Sequence, residues 1–155
     1  MNNILGYEGK NVVITGCATG MGKAAAELLV ELGAQVYALD IGEVTVPVKL
    51  AIKTDMKDKI SIDAAIEQLP GEIHALFNCA GVPHPPFSAI DTMMINWVGL
   101  RHLTEALIPR ISEGGGIASI ASTAGMAWSS NLEKVNEFLA LEDFDAGAAW
   151  VQDMP

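Results

Sequence analysis

The 155 residues are half apolar and 18% charged, with 19 acids against 9 lysines and arginines. That apolar content excludes a disordered tail, and a net charge of −10 excludes a binder of nucleic-acid phosphates or of an anionic membrane surface. Two cysteines, Cys17 and Cys79, are too few for a disulfide scaffold, so one domain in a reducing cytoplasm is expected. The opening MNNILGYEGK lacks a basic segment followed by an apolar stretch, so no targeting signal is expected. The apolar run at 24–34 is broken by Glu27, Glu31 and Gly33 and is too short and charged to span a bilayer.

In chain order, NVVIT at 11–15 has the β-branched pattern of a buried strand. A helix is expected from about Met21, with Ala25, Leu28, Leu29 and Leu32 on its buried face and Gly33 as its left-handed stop. QVYALD at 35–40 reads as the second strand, ending on Asp40, and the third falls within 48–53, before Asp55. Ile62, Ala65, Ile66 and Leu69 predict a helix over 58–69, closed by Pro70-Gly71. A fourth strand is expected near 73–77, a long helix over 90–111, and a fifth strand near 117–121 after a glycine turn at 114–116. Strands alternating with helices imply βαβ units, hence an α/β fold with a parallel sheet covered on both faces.

Residues 126–155 differ, carrying six acids against Lys134 alone. Leu132, Val135, Phe138 and Leu139 suggest a short helix that Asn131 would cap, and Phe144, Ala148 and Val151 another. This acidic segment reads as a helical insertion or lid beside a core formed by 1–125.

The first strand enters its helix through TGCATGMG, residues 15–22. Glycines 16, 20 and 22 permit a tight turn and a close backbone approach, and the helix start offers free N–H groups to a pyrophosphate. Asp40, 18 residues after Gly22 at the end of the second strand, is placed to accept from adenosine ribose hydroxyls. A glycine-rich turn alone is weak evidence. The strand, the helix and the following acid supply the context that a dinucleotide site requires.

The TGxxxGxG spacing resembles that of the short-chain dehydrogenase/reductase family, and residues 126–155 resemble the insertion after the serine in a subgroup similar to 3α-hydroxysteroid dehydrogenase/carbonyl reductase or coniferyl-alcohol dehydrogenase. NCAG at 78–81 resembles the family's NNAG, with Cys79 in place of the second Asn. INWVG at 95–99 is similar to its helical N-x-x-G, and GIASIASTAG at 116–125 to the segment ending in its serine. The resemblance implies a Rossmann-type doubly wound parallel sheet and NAD as cofactor. It implies cofactor contacts from Gly16, Thr19, Gly20, Met21, Gly22, Asp40, Asp55, Met56, Asn78, Ala80 and Gly81, and catalytic roles for Ser122 and Asn96.

By the same resemblance the substrate is a small alcohol or ketone of steroid or aryl-alcohol type, and the protein a homodimer or homotetramer. The family's Y-x-x-x-K, about 13 residues past the serine, has no counterpart: Val135 and Leu139 stand there, and the tyrosines are Tyr7 and Tyr37. The C-terminal part of the family fold is therefore expected to be absent from this chain. An NAD-binding module without turnover is the alternative expectation. His74, His84 and His102 lack ligand spacing, so no metal site is expected. His84 lies in VPHPPF, a proline-stiffened loop that either borders substrate or forms a rigid surface turn.

Overall fold

The structure, a computed structural model, describes residues 5–154. Five parallel strands form one sheet in the order β3-β2-β1-β4-β5: β1 Asn11–Thr15, β2 Gln35–Asp40, β3 Leu50–Lys53, β4 Ile73–Asn78 and β5 Ile111–Ser119. The strand order reverses direction between β1 and β4, and this is where a doubly wound sheet opens a crevice at its C-terminal edge.

Period-2 alternation sorts β1 onto two cores. Val12 and Ile14 pack with Ala26 and Leu29 of α1 (Gly20–Glu31), along with Val36 and Ala38. Val13 packs on the other face, with Leu39, Leu76 and the helices α2 (Lys59–Glu67) and α4 (Leu100–Leu107). Ile62, Ala65, Ile66 and Leu69 are buried as their spacing predicts. Asp58 caps α2, its carboxylate accepting from the Ile60 N–H at 3.0 Å.

Three expectations about these elements need correction. On α1 the buried stripe is Gly22, Ala26, Leu29 and Leu32, whereas Leu28 is 47% exposed. Gly22 and Ala26 share the inward face with Leu29 and Leu32, and Leu28 turns to solvent. The helix expected over 90–111 is composite: α3 (Ala89–Met93), a π-helical turn (Met94–Gly99), α4, and a 3-10 turn at Ile108–Arg110. The fifth strand begins at Ile111 and ends at Ser119, and the glycines lie inside it. Its pairing with β4 shifts register between Ile73 and Ala75, and Gly114 takes φ +77 there, a bulge that only glycine enters without strain.

The π turn packs closely at its end. A Cβ built on Gly99 would overlap the Met56 carbonyl oxygen, so the helix meets the loop after β3 backbone to backbone. Widened turns of this kind recur at functional sites. Gly99→Ala is expected to cost about 1–3 kcal/mol through overpacking, read as a lower urea midpoint at unchanged slope. An unchanged midpoint would refute the contact.

Beyond Ser119, a 3-10 segment (Thr123–Asn131) leads into α5 (Leu132–Ala140) and α6 (Phe144–Gln152). Asn131 stands at the N-cap position of α5, but its side chain donates to the Ala127 carbonyl at 3.3 Å and caps nothing. Asp143 caps α6 by accepting from the Ala146 N–H at 2.9 Å. Phe144 and Val151 join the α2–α4 core, and Gly147 sits against Val98. Phe138 stacks on Trp97 at 4.8 Å and meets Trp150 edge-on at 4.0 Å, so α5 is held to the π turn by aromatic contact. Among the described residues, no helix is long and apolar enough to cross a membrane.

Candidate functional site

A cleft of about 470 Å³ lies at the C-terminal edge of the sheet, at the switch point between β1 and β4. Ten residues singled out in the sequence line it: Gly16, Thr19, Gly20, Met21, Gly22, Asp40, Asp55, Met56, Ala80 and Gly81. They come from four separate strand ends and meet only in the fold.

The glycine turn is built by close packing. Gly16 has φ +72, and a Cβ there would lie 2.6 Å from the backbone of Ala80. A Cβ on Gly22 would overlap the Gly16 carbonyl oxygen and come within 3.2 Å of the Cys79 Cβ. Both positions therefore require glycine for space, and Gly16 for conformation as well. α1 starts after Thr19, whose side chain makes no cap hydrogen bond, and its first turn carries no acid. The N–H groups at Gly20–Gly22 thus face the cleft without intrahelical acceptors, where the helix dipole favours an anion.

Asp40 closes the turn from the side. One carboxylate oxygen accepts from the Ala18 N–H and the other from the Gly42 N–H, each at 2.8 Å. Four lone-pair sites serve those two donors, so acceptor capacity remains on the cleft side. Asp55 is held by the Lys57 N–H at 2.9 Å, and its own N–H donates to Ser61 Oγ at 2.9 Å.

Thr15 ties the two halves of the cleft together. Its Oγ1, in a residue 2% exposed, accepts from the N–H groups of Cys79 and Ala80 at 3.1 and 3.0 Å. Asn78 lies beneath the cleft surface, 1% exposed, donating to Thr104 Oγ1 at 3.0 Å and Ser119 Oγ at 3.2 Å. It joins β4 to α4 and β5 and does not line the cavity.

Asn96, on the π turn, clasps the backbone of Val82: Oδ1 accepts its N–H at 2.8 Å and Nδ2 donates to its carbonyl at 2.9 Å. Ser122 follows β5 by three residues, is exposed, and accepts from the Ala124 N–H at 3.2 Å. Neither Asn96 nor Ser122 is among the residues lining the cleft.

Both thiols are protonated at neutral pH. Burial, then the nearby Asp40 charge, pushes Cys17 up to about 12, and its Sγ lies 3.7 Å from the Ile14 carbonyl. Burial raises Cys79 as well. Motif reading missed Ile41, Lys57, Val82, Phe87 and Ile95, which form much of the cleft's rim. VPHPPF and INWVG carried a partial signal, and from VPHPPF it is Val82 and Phe87, not His84, that reach the cavity.

A sheet in this order, with a glycine-built anion seat and an acid at the end of β2, is that of a dinucleotide-binding Rossmann domain. Residues 10–133 match the family described as short chain dehydrogenase, and the chain belongs to that family. Coniferyl-alcohol dehydrogenase of Pseudomonas sp. (strain HR199 / DSM 7063) is 34% identical over 149 residues, 94% of this chain and 57% of that protein. The fold is shared with the 3-alpha-hydroxysteroid dehydrogenase of Pseudomonas sp. B-0831 complexed with NADH, at TM-score 0.74 and 21% identity, over 92% of this chain and 56% of that one. It is shared too with the 3-ketoacyl-(acyl-carrier-protein) reductase of Brucella melitensis complexed with NADH, at TM-score 0.67 and 27% identity, over 91% and 73% of the two chains. The chain spans about half the length of the curated relatives it matches.

Proposed function

We propose that the cleft binds NAD and that the chain is the cofactor-binding part of an oxidoreductase acting on a secondary or aromatic alcohol or its ketone. The observation that carries this reading is the uncapped start of α1, opened toward the cleft by the close packing of Gly16 and Gly22. The donors at Gly20–Gly22 would hold the pyrophosphate, Asp40 the adenosine ribose, and Asp55 with Met56 the adenine. When bound, NAD takes or gives hydride at its nicotinamide ring.

The chain's own groups would position the partners. Asn96 fixes Val82 and so the far wall of the cleft, and Ser122 would hydrogen-bond the reacting oxygen. Phe87, Val82, Ile95 and Met21 make one side of the rim apolar, which suits a flat hydrocarbon-rich substrate. Similarity to a coniferyl-alcohol dehydrogenase supports the same substrate class. NAD binding without turnover is the second reading. It is favoured by the placement of the tyrosines, since neither Tyr7 nor Tyr37 lines the cleft and Tyr37 is buried in the core.

Asp40 sets a clear test. Its carboxylate would face the 2′-phosphate of NADP across a few Å, a repulsion of about 1–4 kcal/mol. NAD is expected to bind at least about fivefold more tightly than NADP, and Asp40→Asn to narrow that gap. Equal affinities for the two cofactors in calorimetric titration would defeat the assignment of Asp40.

A further inference from the structure

Between Val82 and Asp91 the chain forms a strap along one lip of the cleft, tied to the π turn at one end and braced within itself at two places. Val82 is clasped by Asn96, and the ring Nδ1 of His84 lies 2.6 Å from the Phe87 carbonyl oxygen. At the far end, Ser88 and Asp91 lock the start of α3: Ser88 Oγ accepts from the Asp91 N–H at 3.0 Å and donates to Asp91 Oδ2 at 2.9 Å.

The remaining oxygen of Asp91 points across the gap. Oδ1 accepts from Lys57 Nζ at 2.9 Å, and Lys57 belongs to the opposite lip. The backbone N–H of Lys57 holds the carboxylate of Asp55. One residue therefore connects the acid assigned to the adenine end with the strap that carries Phe87.

We infer that Lys57 and Asp91 are positioning residues whose ion pair latches the 82–91 strap across the mouth of the cleft, fixing Phe87 and Asp55 for the dinucleotide. The inference rests on the cleft taking NAD. It differs in kind from the pairs Lys59–Asp63 and Arg101–Glu105, which join neighbours four residues apart on a single helix. Lys57 and Asp91 are 34 residues apart, and among the described residues theirs is the one ion pair between the two lips. The ammonium of Lys57 is held above its ordinary value, first by the hydrogen bond to Asp91, and the Asp91 carboxyl is held below its own, first by Lys57 and then by Ser88.

If the pair opens, the strap keeps its tie at Val82 but loses its hold on the adenosine lip, and Lys57 is free to turn toward Asp55. Both groups are partly exposed, so the effect on affinity is modest and screened by salt. Lys57→Met and Asp91→Asn should each weaken NAD binding about threefold at low salt, and the double variant should lose no more than either alone. Lys57→Arg, which keeps the pair, should bind as the parent does. The losses should shrink in molar salt.

Hydrogen exchange without ligand supplies a second readout, with amides 82–91 exchanging faster in Lys57→Met and Asp91→Asn than in the parent or Lys57→Arg. Parental affinity together with parental exchange in both variants would overturn the latch. Additive losses in the double variant would overturn it too, by showing that the residues act separately. A parent chain that binds no NAD would overturn the dinucleotide reading, and the exchange rates would still decide the latch.

Discussion

Gly22→Ala is expected to abolish detectable NAD binding and to lower stability by about 1–3 kcal/mol. The added methyl would overlap the Gly16 carbonyl oxygen and press on Cys79, and both belong to rigid strand ends. Backbone on that side cannot rotate away as a flexible side chain would. Relief therefore requires α1 to move off the turn, carrying the N–H groups of Gly20–Gly22 away from the position an anion would occupy. Paired urea melts and NAD titrations check both effects. A variant that binds within about twofold of the parent would show that the turn is looser than its packing indicates.

Thr15→Val is the second large effect, and it separates polarity from shape. Valine fills the same space at a site 2% exposed but offers no acceptor to the N–H groups of Cys79 and Ala80. Two unsatisfied donors at the floor of the cleft should cost about 2–4 kcal/mol. Thr15→Ser keeps the oxygen and should cost much less, chiefly through the lost methyl. The expected order of denaturation midpoints is parent, then serine, then valine. A valine variant as stable as the serine variant would mean that the loop after β4 does not depend on Thr15.

What the sequence made legible follows from the range of the interactions involved. β1 and β2 could be read because strands buried on both faces are short continuous apolar runs, and α2 because burial on one helix face repeats every 3.6 residues; both signals are local. The same reading misplaced Leu28 on α1. Apolar spacing shows that a face exists, yet the close approach of α1 to the turn demanded Gly22 and Ala26 on the buried side. The π turn at 94–99 left no periodic mark. Gly99 at its end packs against the Met56 carbonyl, a contact between segments 43 positions apart that no local pattern shows.

Gly114–Gly116 looked like a turn because glycine marks turns and bulges alike, and the choice depends on where β4 pairs. The site shows the same division. Glycines and acids that contact a ligand through fixed geometry were visible as a motif. The rim formed by Lys57, Val82, Phe87 and Ile95 arises from contacts between distant segments, and no spacing encodes it.

A second cavity provides the internal control for the central claim. A groove of about 470 Å³ runs along β4 and β5 and is lined by Tyr7, His74 and Gly114–Gly116, away from the glycine turn. Volume does not distinguish it from the cleft at the switch point, so the assignment depends on chemistry: uncapped helix N–H groups and Asp40 on one side, sheet face on the other. Titrating NAD into the ¹⁵N-labelled chain and following every backbone amide by NMR tests this most directly. The amides of Gly20, Met21 and Gly22 should shift most, with those of Ile41, Met56 and Gly81 following at the same midpoint. Shifts centred on His74 and Gly114–Gly116, or no shifts at millimolar NAD, would contradict the assignment of the cleft.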